Sequence, residues 1–310
     1  YYLRPWIISK GKAMDRLIVI PESKDHWLEM RHQNISSTET PVLYNASPYQ
    51  TLFEMYHTKR SDDLHSIKEN ERMVWGNRLQ DAIANGVAAD RCWVVRPMKE
   101  YITLPEYRLG SSFDYMIGDS EAILEIKNVD SLVFNNKWTE DEAPIHIELQ
   151  VQTQMLVSGI HKCYICALVG GNRIHIIERD YNPKIGESIL KKAAAFWAMT
   201  EPPAIDFERD AAFVRELNSF AEPDKSIEPT ERLDELANSY RELQTSAKQI
   251  EESLEAVKAE IISIMQTAEK VKGQGYSINA GMIGEAQVSY TRKAYRTFKI
   301  FFKKDKSNES

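Results

Sequence analysis

Two carboxylates and one amine are spaced so that they could hydrolyse a phosphodiester with the help of a metal ion. Glu125 and Lys127 flank Ile126 in the apolar run AILEIKN, which is typical of a buried strand. Because side chains alternate along a strand, Glu125 and Lys127 point to the same face. Mg²⁺ prefers oxygen ligands and keeps several waters, so these residues together with Asp114 suit it. Lys127 could orient a water whose pKa the ion has lowered.

A hairpin is needed to bring Asp114 beside the other two residues. The turn signal Gly118-Asp119 separates the apolar runs SSFDYMIG and AILEIKN. We therefore predict that the chain reverses there and carries Asp114 toward Glu125 and Lys127. The spacing alone also allows a second interpretation, in which Glu125 and Lys127 form a structural salt bridge and Asp114 lies in an ordinary turn.

Length and composition indicate a globular protein with a sizeable core. The chain has 310 residues, of which 43% are hydrophobic and 10% aromatic. No apolar run approaches the ~20 residues that a membrane-spanning helix needs, and no signal peptide is visible. The cysteines Cys92, Cys163 and Cys166 lie in or beside apolar runs and lack a second ligand pair. We interpret them as buried, reduced thiols, which indicates a cytoplasmic protein.

The charge of the chain is unevenly distributed. The net charge is −7, yet the last twenty residues hold seven Lys and Arg against two acidic residues. A nucleic-acid channel requires a local basic patch and not a basic average, so the overall charge does not exclude a DNA enzyme.

Four motifs occur in an order that resembles one nuclease family. They are WLEMRHQNISST (27–38), VWGNRLQDAIA (74–84), the S-x-D hairpin followed by LEIK (112–127), and PIHIELQVQTQMLVSG (144–159). Together they resemble the phage lambda exonuclease and YqaJ-type viral recombinase family of PD-(D/E)XK nucleases. The resemblance implies an α/β fold with a mixed central β-sheet flanked by helices.

The resemblance also implies roles for individual residues. Asp114 and Glu125, with the Ile126 carbonyl, would hold the metal, Mg²⁺ or alternatively Mn²⁺. Lys127 would position the attacking water, and Gln150 would assist. The residues expected to bind the 5′-terminal phosphate are Arg31, Thr38 and Ser112. An Arg fork with hydroxyl donors suits a phosphate monoester.

Gln80 departs from the pattern of the family. It occupies the position of a Glu that is thought to sit at the metal site, so we count it among the catalytic positions. An amide is a poorer ligand for a hard cation and cannot act as a base. The sequence leaves open whether Gln80 is the natural residue or an inactivating substitution, and with it the activity of this chain.

Changes in composition divide the chain into five segments. They are a leader or tag-like segment (1–13), an exonuclease domain (14–215), a linker (216–230), a coiled-coil helix (231–270) and a basic β-hairpin tail (271–310). Within the exonuclease domain we expect a polar loop over 128–144. From Leu233 to Ile264 apolar residues recur at alternating steps of three and four, which predicts a heptad seam. The partner of that seam could lie in this chain, in another subunit or in another protein.

The tail combines basic and aromatic residues in a way that suits contact with a DNA backbone. The residues that we expect to bind DNA there are Arg292, Lys293, Arg296 and Lys299. A solubilising strand edge would have a similar composition, and the sequence does not distinguish the two.

The resemblance implies a Mg²⁺-dependent 5′→3′ exonuclease that acts on double-stranded DNA ends in phage or prophage recombination. Such an enzyme would work in the bacterial cytoplasm, form a homo-oligomer and pass its product to a single-strand annealing protein, with no role for a membrane. Two alternatives stay open. One is a catalytically weak DNA-end-binding or scaffold protein that acts through its coiled coil, and the other is a site-specific endonuclease.

Overall fold

A computed structural model describes residues 14–62, 70–292, 295–298 and 300. The predicted leader, residues 1–13, lies outside these ranges. The chain divides into two compact units, Tyr1–Val214 and Arg215–Ser310.

The first unit contains nine strands and seven helices among its described residues, the last helix extending past its end. The strands are β1 (Leu17–Val19), β2 (Ile35–Ser36), β3 (Val95–Pro97), β4 (Tyr101–Leu104), β5 (Leu109–Ser111), β6 (Tyr115–Ile117), β7 (Ala122–Val129), β8 (Lys162–Val169) and β9 (Arg173–Asp180). The helices are α1 (Lys24–Gln33), α2 (Leu52–Thr58), α3 (Glu71–Arg91), α4 (Ser131–Lys137), α5 (Ile145–Ser158), α6 (Pro183–Trp197) and α7 (Ala211–Leu217). Short 3₁₀ helices occupy Thr40–Tyr44 and Pro105–Tyr107.

The larger sheet has the strand order β3-β6-β7-β8-β9. All its pairs are antiparallel except β7 with β8, which run parallel because α4 and α5 form the crossover between them. Gly118 has φ 59° and allows the tight reversal from β6 to β7. The predicted hairpin is therefore present, and the mixed sheet flanked by helices confirms the predicted fold class.

Helices cover both faces of this sheet. On one face, Ile83 and Val87 of α3 pack against Leu124 and Ile126 of β7. On the other face, buried residues of α5 such as Val151 join a core with the other side of β7 and with α6. Residues of β7 therefore alternate between two cores, and Glu125 projects toward the α5 side.

A smaller sheet of order β1-β4-β5-β2 lies in the same unit. β2 runs parallel to β5, with Ser36 opposite Gly110. The β4–β5 register places Thr103 opposite Gly110 and Ile102 opposite Ser111. This sheet carries α1 and its following loop, which the sequence analysis assigned to phosphate binding.

Among its described residues, the second unit contains the long helix α8 (Glu231–Met265) and a short hairpin of β10 (Lys270–Lys272) with β11 (Ser277–Asn279). The long C-terminal helix is confirmed. It ends at Gln266, which has φ 50° and closes the last turn through its N–H to Ile262 O. The seam side chains are mostly exposed, for example Leu243 at 69% and Leu254 at 64%.

Three local expectations were wrong. The predicted polar loop contains α4, because the Asp130 side chain accepts hydrogen bonds from Leu132 N and Val133 N and caps the helix. Cys92 is exposed, because it is the left-handed cap that ends α3, whereas Cys163 and Cys166 are buried as expected. Within the described part of the tail no residue after Asn279 lies in a strand, in contrast to the hairpin expected over 271–310.

Among the described residues, none of the helices combines the length and apolarity that a transmembrane segment requires.

Candidate active site

The β6–β7 hairpin brings Asp114 next to Glu125. Tyr115 pairs with Leu124, so Asp114 lies one step beyond the last paired residue of β6. Its Oδ2 atom accepts a hydrogen bond from the main-chain N–H of Ile126 at 2.8 Å. The carboxyl group is thus fixed to the same strand that carries the other carboxylate and the lysine.

Glu125 and Lys127 meet each other and α5 on one face of β7. Lys127 Nζ donates to Glu125 Oε1 at 2.6 Å and to Gln150 Oε1 at 3.1 Å. Gln150 Nε2 donates back to Glu125 Oε1 at 2.6 Å. The three side chains form a closed triangle of charge-assisted hydrogen bonds. The geometry that we predicted from strand alternation is present.

Gln80 reaches the cluster from α3, on the opposite face of the sheet. Its Nε2 atom donates to Asp114 Oδ1 at 2.6 Å. A glutamate there would place a third carboxylate against Asp114, whereas the amide supplies a donor. The neighbouring Asp81 does not replace it, because Asp81 accepts instead from the Tyr115 hydroxyl.

Burial and like charge shape the protonation of the cluster. Burial raises the pKa of Asp114 to about 7, helped by the negative charge of Glu125. Lys127, the Ile126 N–H and Gln80 oppose that rise in the pKa. Burial alone would lower the pKa of Lys127, but Glu125 and Asp114 outweigh it and the pKa is raised, so the amine stays protonated at neutral pH.

The donor set suits a hard divalent cation. Asp114 accepts two hydrogen bonds and Glu125 three, which leaves lone pairs on both carboxylates. Two buried carboxylates that lie close together are stabilised by a cation between them. Among the described residues no group of three His, Cys, Asp or Glu side chains converges, so waters and substrate oxygens would complete the shell.

The residues predicted to bind a 5′ phosphate form a second cluster around Arg31. Arg31 Nη2 donates to Ser36 Oγ and to Thr38 Oγ1, each at 3.2 Å. The guanidinium also lies over the Trp27 ring, 4.8 Å from its centroid. Trp27 Nε1 in turn donates to Ser112 Oγ at 2.8 Å. Arg31, Thr38 and Ser112 are therefore brought together.

A buried ion pair forms the base of this second cluster. Glu39 Oε2 accepts from Ser36 N at 2.8 Å, from Ser36 Oγ at 2.7 Å and from Lys59 Nζ at 2.8 Å. Lys59 also donates to the main-chain oxygens of Arg31 and Asn34. Lys59 and Arg31 are two positive charges beside the single carboxylate of Glu39. The cluster therefore has a net positive charge, which suits an anion.

Gln154 connects the two clusters. Its Nε2 atom donates to Glu125 Oε2 at 2.7 Å and to the main-chain oxygen of Ser112 at 3.3 Å. The side chain is buried, and its Oε1 atom has no hydrogen-bond partner. Gln154 was not among the predicted site residues, although its position one helical turn after Gln150 was a usable signal. Glu39 and Lys59 were missed because nothing in their local sequence marks them.

Both clusters lie within a stretch of the chain that is similar to a known protein family. Residues 26–161 match the family model of the YqaJ-like viral recombinase domain. This stretch is similar to the YqaJ-like viral recombinase domain. This match confirms the resemblance that the four motifs indicated.

A protein sequence and solved structures are also similar to this chain. The protein YqaJ of Bacillus subtilis (strain 168) is 27% identical over 248 residues, which are 75% of this chain and 77% of YqaJ. The structure of an alkaline exonuclease (LHK-Exo) from Laribacter hongkongensis is similar with a TM-score of 0.48 and 15% identity, covering 63% of this chain and 98% of that one. A phage related exonuclease from Haemophilus somnus 129PT matches with a TM-score of 0.37 and 10% identity, covering 55% and 96%.

The proposed DNA-binding residues of the tail lie outside the YqaJ-like domain. The Arg292 guanidinium lies 4.3 Å from the Tyr295 ring centroid. Arg296 Nη1 donates to the main-chain oxygens of Asn218 and Phe220. Lys293 and Lys299 are outside the described residues. DNA contact by this set stays a prediction.

Proposed function

We propose that this chain is a metal-dependent 5′→3′ exonuclease that degrades double-stranded DNA from its ends. The observation that carries the proposal is the convergence of Asp114, Glu125, Lys127 and Gln150, beside an Arg31-centred cluster that suits a phosphate monoester. Hydrolysis needs the first set of residues, and selection of a 5′-phosphorylated end needs the second. Their occurrence side by side in a YqaJ-like domain favours an end-directed nuclease over a general phosphatase.

The two clusters have different roles, binding of the terminal phosphate and hydrolysis. Arg31 and the Thr38 hydroxyl donate to the terminal phosphate, and Ser112 anchors Trp27 against Arg31. Lys127 is held protonated next to Glu125, so it meets negative charge that develops on the scissile phosphate and orients the water. Gln150 fixes the direction of the Lys127 amine.

Asp114 and Glu125, with the Ile126 carbonyl, would hold Mg²⁺ or Mn²⁺, which neutralises phosphate charge and lowers the pKa of a bound water. The chain would act in the cytoplasm of a bacterial host during phage or prophage recombination. Digestion of one strand would leave 3′ overhangs for a single-strand annealing protein. A homo-oligomer that encloses the duplex would support repeated cleavage.

Digestion of end-labelled linear duplex DNA tests the proposal. We expect release of 5′-terminal nucleotides with Mg²⁺ and none after chelation. Lys127→Ala should abolish digestion and spare duplex binding, whereas Lys191→Ala, which removes an exposed lysine from α6, should behave as wild type. Normal turnover by Lys127→Ala would end the assignment, and cutting of closed circular DNA would indicate an endonuclease.

A second candidate function is a DNA-end-binding protein with weak catalysis. The hydrogen bond from Gln80 to Asp114 favours it, because the amide occupies a carboxylate oxygen that a cation could use. The comparison of this chain with Gln80→Glu distinguishes the two functions. Negligible digestion by both, with retained binding to DNA ends, would support the binding protein. Gain of digestion by Gln80→Glu would show that Gln80 limits a working nuclease site.

A further inference from the structure

An exposed aromatic side chain contacts the helix that carries Gln150. Tyr49 lies in the loop between the 3₁₀ helix Thr40–Tyr44 and α2, and 83% of the residue is accessible to solvent. Its ring makes an edge-to-face contact with His146, with 5.8 Å between centroids and 89° between planes. His146 and Gln150 lie four residues apart on one face of α5, and Gln150 accepts a hydrogen bond from Lys127, so the ring lies on the face of α5 that Lys127 contacts.

The loop that presents Tyr49 is held firmly in place. Ser47 Oγ accepts from the main-chain N–H groups of Tyr49 and Gln50, each at 3.2 Å. Arg209 donates to Ser47 O at 2.6 Å and to Asn45 Oδ1 at 3.0 Å. The exposure of Tyr49 is therefore a property of an anchored loop and not of a loose one.

His146 supports the ring from the first turn of α5, one turn before Gln150. Burial lowers the pKa of His146, and the positive charges of Lys127 and Lys137 lower it further, so the imidazole is neutral at neutral pH. Tyr49 and His146 thus form an aromatic surface at the edge of the cluster that contains Asp114, Glu125 and Lys127. This combination suits a ligand that has a phosphate on one side and a flat aromatic group on the other.

We infer that Tyr49, backed by His146, is a stacking site for the nucleobase next to the phosphate that Lys127 contacts. A nucleotide is the ligand class that carries an aromatic plane within one sugar of a phosphate. Stacking on an aromatic side chain tolerates every base, as an enzyme that digests any sequence requires. The inference rests on the proposed nuclease function and adds a base contact to it.

The experiment uses the full chain and a 5′-phosphorylated duplex with 2-aminopurine at the first or second nucleotide of the phosphorylated strand. Ca²⁺ replaces Mg²⁺, so binding is measured without turnover. We expect wild type and Tyr49→Phe to quench 2-aminopurine at one of these positions. Tyr49→Ala should lose the quenching and bind roughly five- to a hundredfold more weakly. The matched control is Phe207→Ala, which removes another exposed aromatic residue of the same unit and should bind as wild type.

A duplex with an abasic site at the quenched position completes the test. Wild type should bind it as weakly as Tyr49→Ala binds the intact duplex, and Tyr49→Ala should lose nothing more. Equal affinity of wild type and Tyr49→Ala for the intact duplex would overturn the stacking site while leaving the nuclease proposal standing. Failure of wild type to bind or digest any DNA end would instead overturn the proposed function.

Discussion

Gln154 donates one hydrogen bond to Glu125 at 2.7 Å and another to the main-chain oxygen of Ser112 at 3.3 Å. Ser112 also accepts from Trp27, against which Arg31 lies. A continuous series of contacts therefore runs from the proposed phosphate cluster to a carboxylate of the proposed metal site. The amide group of Gln154 makes the link between the two clusters, because it donates to both Glu125 and Ser112.

We expect Gln154→Leu to weaken the advantage of a 5′-phosphorylated end over a 5′-hydroxyl end. Loss of a hydrogen bond to a charged group should lower the rate about ten- to a hundredfold on phosphorylated DNA. The rate on 5′-hydroxyl DNA should fall less, so the ratio of the two rates approaches one. A structural defect alone would lower both rates equally.

Gln152→Leu is the matched control for Gln154→Leu. Gln152 lies on the same helix but faces away, donating to Asp180 O and accepting from Asn182 N, each at 2.9 Å. Its loss should lower the free energy of unfolding and leave the ratio of rates unchanged. An equal drop in the ratio for both variants would refute a specific role for Gln154.

Arg31→Lys tests the guanidinium group that we propose binds the terminal phosphate. Lysine keeps the charge but cannot donate to Ser36 and Thr38 with a planar group or lie flat over Trp27. We expect a rise of about tenfold or more in KM for 5′-phosphorylated ends, with little change for 5′-hydroxyl ends. Steady-state kinetics on the two substrates gives both values, and an unchanged KM would remove Arg31 from phosphate recognition.

Glu39→Gln should destabilise the fold by leaving Lys59 as an unpaired buried cation. The Lys59 side chain is 4% exposed and its partner 18%, so removal of the charge should cost about 3–5 kcal/mol in the free energy of unfolding. Urea unfolding of both proteins at pH 7 measures that difference. A loss below about 1 kcal/mol would show that the pair contributes no more than a surface ion pair.

The pH dependence of the Glu39→Gln effect has a definite sign. Burial alone would raise the pKa of Glu39, but Lys59, Arg31 and the hydrogen bonds it accepts lower it below the ordinary value. The carboxylate therefore stabilises the fold above the unfolded-state pKa of about 4.3, and that contribution is lost as the pH falls through the lower folded-state pKa. Wild type and Glu39→Gln should converge in stability at acidic pH, and a constant gap would contradict the assignment.

Gly110→Ala should strain the smaller sheet. A Cβ atom at Gly110 would lie 2.5 Å from the Tyr101 hydroxyl, which crosses the strand at that point. Because Tyr101 is buried in a packed core, we expect a loss of about 1–3 kcal/mol in the free energy of unfolding. The double variant with Tyr101→Ala should lose less than the sum of the two single variants if this contact is the cause.

Tyr101→Phe is the complementary substitution. The Tyr101 hydroxyl is buried without a hydrogen-bond partner, so its removal eliminates an unsatisfied polar group. We expect no loss in the midpoint of thermal unfolding, and a small gain is consistent with the same reasoning. A clear drop would indicate that the hydroxyl has a partner such as a bound water.

Strand alternation and turn signals were sufficient to predict the central hairpin and the common face of Glu125 and Lys127. Those features depend on local periodicity, which a sequence records directly. Glu39 and Lys59 could not be predicted, because their pairing depends on how α2 packs beside the loop after β2. The α4 helix was missed because its Asp130 cap lies in a stretch whose polar composition also suits a loop.

Glu125 and Gln150 are joined by the only parallel crossover of the larger sheet within the described residues. A crossover of this kind closes a long loop, and contacts that are distant along the chain form late in folding. The β6–β7 hairpin can form from local contacts, but it holds only Asp114, Glu125 and Lys127. A nascent or partly unfolded chain therefore has an incomplete centre. The proposed nuclease site would be complete only after the native topology has formed.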